Sequence, residues 1–112
     1  MHFIMRPLPR FPFTAQLQQG DQTVEIALVG QAMTPRQYKA HIKACELAGG
    51  DFDSTRFLSV LIPEGAGIVD EAGDPVAWNE DTIDVLLWQD AQAFQVLLDA
   101  YRAGASEAAR KN

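Results

Sequence analysis

A chain of 112 residues is the size of one domain and leaves no room for a second core of ordinary size. With 47% hydrophobic and 21% charged residues it has the composition of a folded globular protein, which excludes a disordered or fibrous one. Fifteen acids against nine bases leave a net charge of −6, so nucleic acid is an unlikely partner for the surface as a whole, because such binding depends on Lys and Arg neutralising phosphates.

The first twelve residues form an N-terminal arm punctuated by Pro7, Pro9 and Pro12. Pro12 to Gln18 and Thr23 to Val29 then read as two strands, since Val24, Ile26 and Leu28 alternate with Glu25 and Ala27. Gln19-Gly20-Asp21-Gln22 between them has the residues of a hairpin turn.

Thr34-Pro35-Arg36-Gln37 carries a hydroxyl cap, a proline at the first helical position and a glutamine three residues after the cap. These signals predict a helix from Pro35 to about Ala48, stopped by Gly49-Gly50. On it Tyr38, Ile42 and Cys45 share an apolar stripe, while Arg36, Lys39 and Lys43 gather on a separate basic face. Asp51-Phe52-Asp53-Ser54 offers the cap of a second helix, Thr55 to Ile62, which ends at Pro63-Glu64-Gly65.

Ile68-Val69-Asp70 and Pro75-Val76-Ala77-Trp78 flank Glu71-Ala72-Gly73-Asp74 and predict a small second hairpin or an extended loop. Asn79 caps a third helix, Glu80 to Trp88, whose opening acids suit the positive end of the helix dipole. A last helix runs from Asp90 to about Ala103, with Phe94, Leu97, Leu98 and Tyr101 at helical spacing and Gly104 as its stop. Residues 105–112 read as a flexible polar tail. The whole predicts a single α+β domain over residues 13–104, a small N-terminal β-hairpin or meander followed by a mainly α-helical bundle of about four helices.

Little of the sequence suggests bond-making chemistry. Apolar runs such as Val60-Leu61-Ile62 and Val85-Leu86-Leu87-Trp88 are far too short to cross a bilayer, so no membrane association is expected. Met1 to Pro7 lacks the order of a secretory signal, and Cys45 is the only cysteine; both fit a cytoplasmic protein without disulfides. His2 and His41 are the only histidines, so His41 and Cys45, four apart, lack the further ligands a metal site needs. The acids around Asp70 do not follow the ligand spacing of a calcium loop, and the serines lack a nucleophile-elbow setting. An enzyme, a cofactor and a metal are therefore not expected.

Surfaces remain. The first 49 residues carry five bases and three acids, whereas the remainder carry four bases and twelve acids, so the basic Arg36, Lys39 and Lys43 face is a candidate docking surface for an acidic partner. Trp78 and Trp88 bracket the acidic third helix, where Val85 and Trp88 project away from the Ile83, Leu86 and Leu87 stripe. Arg36, Lys39, Lys43, Trp78, Val85 and Trp88 are the candidate partner-binding residues.

The order of these elements resembles the tail assembly chaperones of long-tailed bacteriophages and prophages. The likeness rests on the strand leading into Met33-Thr34-Pro35-Arg36-Gln37-Tyr38, the apolar helix ending near Leu61-Ile62-Pro63 and the acidic Asp70-Glu71-Ala72-Gly73-Asp74-Pro75-Val76 turn. Asn79-Glu80-Asp81 opening Ile83-Asp84-Val85-Leu86-Leu87, and the helix from Asp90 to Gly104, complete it. The resemblance implies a non-enzymatic protein of the host cytoplasm that coats the helix-rich tape measure protein, helps tail tube subunits polymerise around it, and self-associates. Many chaperones of this group are also made in a longer, frameshifted form, and Lys111-Asn112 is a residue pair that one choice of codons would make part of a slippery site. The competing expectation is a structural head–tail joining or tail-completion protein that stays in the particle.

Overall fold

The computed structural model describes residues 1–111. Strands β1 (Arg10–Gln19) and β2 (Gln22–Gln31) form a hairpin in continuous antiparallel register from Gln19↔Gln22 to Arg10↔Gln31. Both strands extend past the predicted ends at the open side of the hairpin, so Arg10 to Pro12 belong to the sheet and the arm is residues 1–9. Four helices follow: α1 (Pro35–Ala44), α2 (Ser54–Leu61), α3 (Glu80–Gln89) and α4 (Ala93–Lys111). The α+β class is thus the observed one, with the sheet at the N-terminal side of a helical layer.

Alternation decides which face of the hairpin is buried. Phe11, Ala15 and Leu17 on β1 and Ile26 and Leu28 on β2 turn inward, whereas Pro12, Thr14, Gln16, Thr23 and Glu25 face solvent. Against the inner face α4 lays Leu97, Leu98 and Tyr101, and α2 and α3 add Phe57, Leu58, Leu61 and Ile83. Each fully buried Leu or Ile of this cluster contributes roughly 1.5–3 kcal/mol relative to an exposed one. Phe11, Phe13 and Tyr101 meet as an aromatic group, with the Phe11 and Tyr101 centroids 5.5 Å apart.

Three expectations need correction. Helix α1 stops at Ala44, because the Cys45 carbonyl receives the Asp53 N–H at 2.8 Å instead of continuing the helical ladder. Leu47 N–H bonds Asp51 O at 2.8 Å and Glu46 bridges Phe52, so residues 46–52 form a folded-back loop with a short 3₁₀ turn, Ala48–Gly50. These bonds are made across the loop, which helical periodicity does not report.

Pro63-Glu64-Gly65 does end α2, but Glu64–Ala66 then forms a third strand, β3, antiparallel to β2 through Leu28↔Gly65. Glu, Gly and Ala have weak strand preference, so only the pairing reveals it.

The third correction is α4, which passes through Gly104 to Lys111 rather than stopping there. A β-carbon at Gly104 would lie 2.9 Å from Phe11 Cε2 and 3.0 Å from Phe13 Cβ. The glycine is therefore a packing residue, letting the helix press onto the aromatic group. Ala105 and Ala108 extend the packed face beyond it, and Glu107 pairs with Arg110 and Lys111 on the solvent side. The expected flexible tail is thus helical as far as Lys111, and Asn112 lies outside the described residues.

Candidate interaction surfaces

Helix α1 opens on a capping box: Thr34 Oγ1 accepts the Gln37 N–H at 3.1 Å, and Gln37 Oε1 accepts the Thr34 N–H at 3.0 Å. The box fixes the rotation of the helix. Tyr38 and Ile42 are half-buried and Cys45 is buried, leaving Arg36, Lys39 and Lys43 exposed. The ion pairs among the described residues are Arg10 with Glu64 and Glu107 with Arg110 and Lys111, so the three α1 bases are uncompensated.

Beside the start of α1 lies a feature that sequence reasoning missed. Residues 3–9 of the arm run along the start of α1 and the second half of α4, enclosing an open cleft of about 630 Å³. Its floor is Ala32, Met33, Pro35, Tyr38, Tyr101, Ala105, Ala108 and Ala109, and its charged groups are Arg6 and Arg102. Among the described residues no acid lines it, in a chain with fifteen. Arg102 Nη2 donates to the Tyr38 hydroxyl at 3.2 Å and ties α4 to α1 across the floor. Tyr101 donates its hydroxyl to Gln31 O at 2.6 Å, and burial, reinforced by Tyr38, pushes its pKa up. On the arm itself Phe3 is 90% and Met5 85% exposed, with Ile4 and Leu8 also open to solvent. The available signal was the Phe3-Ile4-Met5 and Leu8 pattern on a segment whose prolines forbid it a place inside the fold.

The tryptophans separate. Trp78 is half-buried, with Nε1 donating to Ile62 O at 2.7 Å and its ring against Gly65, where a β-carbon would be 2.7 Å from the indole. Its side chain joins the end of α2 to β3. Trp88 is 87% exposed and Val85 55% exposed, as expected from their position off the buried stripe. At ~100° per residue the outward half of α3 carries Glu80, Asp84, Trp88, Asp81, Val85 and Gln89 in angular order, so acids flank the indole. Thr55 and Ser59 donate hydroxyls to Asp84 and Glu80, which leaves both charges in place.

These two surfaces occupy opposite ends of the hairpin. Leu86, Gln89 and Asp90 share a hollow with Gln18, Gln19 and Gly20, and Asp90 Oδ2 accepts the Gln18 N–H at 3.4 Å, which puts the end of α3 beside the β-turn. The cleft is built around Pro9 and Ala32, whose Ala32 N–H to Pro9 O bond closes the other end. Strands of ten residues set the ends apart by roughly 30 Å.

The remaining candidates are accounted for by packing. His41 stacks on Phe57 at 5.1 Å and donates Nε2–H to Phe57 O at 3.0 Å. Cys45 Sγ lies 3.9 Å from both ring nitrogens, and burial pushes its thiol up, with Arg56 pulling it back and Asp53 adding to the rise, so it stays protonated at neutral pH. Asp70 Oδ1 accepts the Ala72 and Asp74 N–H groups, each at 2.9 Å, and shapes the acidic turn, whose Val69↔Pro75 bridge is the expected small hairpin. Among the described residues no three His, Cys, Asp or Glu side chains gather as a metal-holding group, and no helix is long and apolar enough to cross a membrane. No protein-family model, curated protein or solved structure matches the chain.

Proposed function

We propose that the chain is a non-enzymatic assembly chaperone of long-tailed bacteriophages or prophages, which holds the tape measure protein in the host cytoplasm while tail tube subunits polymerise around it. The observation that supports this reading best is the apolar cleft between the arm, α1 and α4. A helix-rich client presents apolar stripes, and an open groove floored by alanines and aromatics accepts such a stripe without a built-in reaction centre. The exposed arm supplies a second apolar wall for a bound helix, and the acidic surplus elsewhere keeps a chain with this much exposed apolar surface in solution.

The test is co-expression with the product of the longest open reading frame just downstream, followed by a pull-down and light scattering. Solubility of that product only in the presence of this chain, with several copies co-purifying, is the expected result. A product that ignores the chain overturns the reading. Stable retention of the chain in finished particles instead identifies a head–tail joining or tail-completion protein.

A further inference from the structure

We infer that the cleft is also a binding site for a free single-chain carboxylate, its head held by Arg102 and Tyr38 and its hydrocarbon chain laid along α4 under the arm. Such a ligand shares the cleft with a client helix but needs no client in order to bind. The volume of about 630 Å³ falls within the range of about 300–1,000 Å³ typical of small-molecule sites, which are mostly apolar with a few convergent polar groups.

The polar side chains at the cleft are Arg6, Tyr38, Tyr101 and Arg102, and their chemistry has one sense. The Tyr101 hydroxyl is committed to Gln31 O. Arg102 Nη2 donates to the Tyr38 oxygen at 3.2 Å, while the Tyr38 proton has no acceptor among the described residues. Neither arginine has an ion-pair partner among those residues. A guanidinium and a phenol O–H therefore stand side by side as donors, and no carboxylate among the described residues lines the cleft to answer them. A ligand carboxylate takes one bond from each, the bond to the guanidinium being charge-assisted. A cation finds no counter-charge there.

The rest of the cleft suits a hydrocarbon chain. From Arg102 its α4 side continues as Ala105, Ala108 and Ala109, roughly 10 Å of helix axis without a polar side chain. Across from these alanines the arm supplies Phe3, Ile4, Met5 and Leu8, of which Phe3 and Met5 are almost fully open to solvent. An acyl chain between the two walls loses its own contact with water and covers theirs, so affinity rises with each methylene.

The experiment is isothermal titration calorimetry of the full chain at neutral pH with laurate, kept below its micelle concentration. Saturable binding of one laurate per chain is expected. Butyrate, with the same head and a short tail, is expected to bind about a hundredfold more weakly or less, and dodecyltrimethylammonium, with the same tail and a cationic head, at least about tenfold more weakly. Arg102→Gln is expected to weaken laurate binding about tenfold and Tyr38→Phe about threefold. Phe3→Ser with Met5→Ser, both exposed, removes much of the arm wall and is expected to weaken it about tenfold.

An absence of laurate binding overturns the assignment, and so does equal affinity for the cationic amphiphile, which marks adsorption by the tail alone. Binding to phosphatidylglycerol vesicles in place of free laurate also overturns it, because the anion is then read on a lipid surface. An Arg102→Gln chain that binds laurate like the natural one removes the head-group site. Should circular dichroism show that this variant alters the fold, Arg6→Gln repeats the test from the arm side of the cleft. All of this is measured on the chain alone, so failure here leaves the client reading standing, and failure of the pull-down leaves the carboxylate site standing.

Discussion

The open end of the hairpin and its turn end are both apolar at the surface, yet they are built differently. At the open end α4 is drawn tightly onto the sheet by Gly104 and the Phe11, Phe13 and Tyr101 group, and the cleft is what the arm fails to fill. At the turn end α3 rests on a narrow buried stripe and turns a half-cylinder of acids around Trp88 to solvent. Apolar exposure alone does not say which partner a surface takes. The sign of the charge around it does, and here the two ends carry opposite signs.

The comparison breaks most visibly at its aromatic hinge. Phe11→Ala is expected to destabilise the chain by about 3–5 kcal/mol, because it empties the junction of β1 and α4. Chemical denaturation reads the change, and a loss below about 1 kcal/mol would show that the open end is not packed as described. Gly104→Val comes next, at about 1–3 kcal/mol, since its side chain must displace the Phe11 ring and the Phe13 Cβ. That variant should lose the helical signal of residues 105–111 along with stability, and unchanged stability and circular dichroism would show that no ring packs against Gly104.

How much of this was legible in the sequence follows from where the information lies. The hairpin, the caps at Thr34, Asp53 and Asn79, and the outward direction of Val85 and Trp88 are properties of neighbouring residues, and local pattern states them. Gly104 shows the limit. A glycine after a helical run is equally a stop or a contact, and only Phe11, more than ninety positions earlier, decides. The same holds for β3, whose strand character comes from β2, and for Trp78, whose indole is committed to Ile62 O instead of solvent. The cleft was hidden because it depends on the arm, α1 and α4 together.

Alkaline pH sharpens the contrast more gently. Tyr101 and Cys45 both have raised folded-state pKa values, so the unfolded chain releases their protons first as pH rises. Stability is then expected to hold through neutrality and fall above about pH 9, because the unfolded state binds fewer protons there. Tyr101→Phe should flatten the part of that fall above about pH 10, measured as the slope of unfolding free energy against pH. An unchanged slope would mean that the phenol is not shielded. The smallest effect is expected at the turn end: Trp88→Ala should change stability by no more than about 0.5 kcal/mol, since its ring touches solvent on most sides. A larger loss would place the indole inside the fold.

The pairing of β1 with α4 also governs how the chain reaches its native state. Phe11 and Tyr101 must find each other across almost the whole sequence, so the sheet gains its cover only once a very long loop has closed. Loop entropy grows slowly with length, each doubling adding only about 0.6 kcal/mol, which makes the closure thermodynamically tolerable. Its kinetic consequence is larger, because the entropy of closing the loop must be spent before the contacts between the distant segments repay it. Refolding should therefore be governed by this encounter of the first strand with the last helix, and the cleft, assembled from the same two segments and the arm, becomes available only in chains that have completed it.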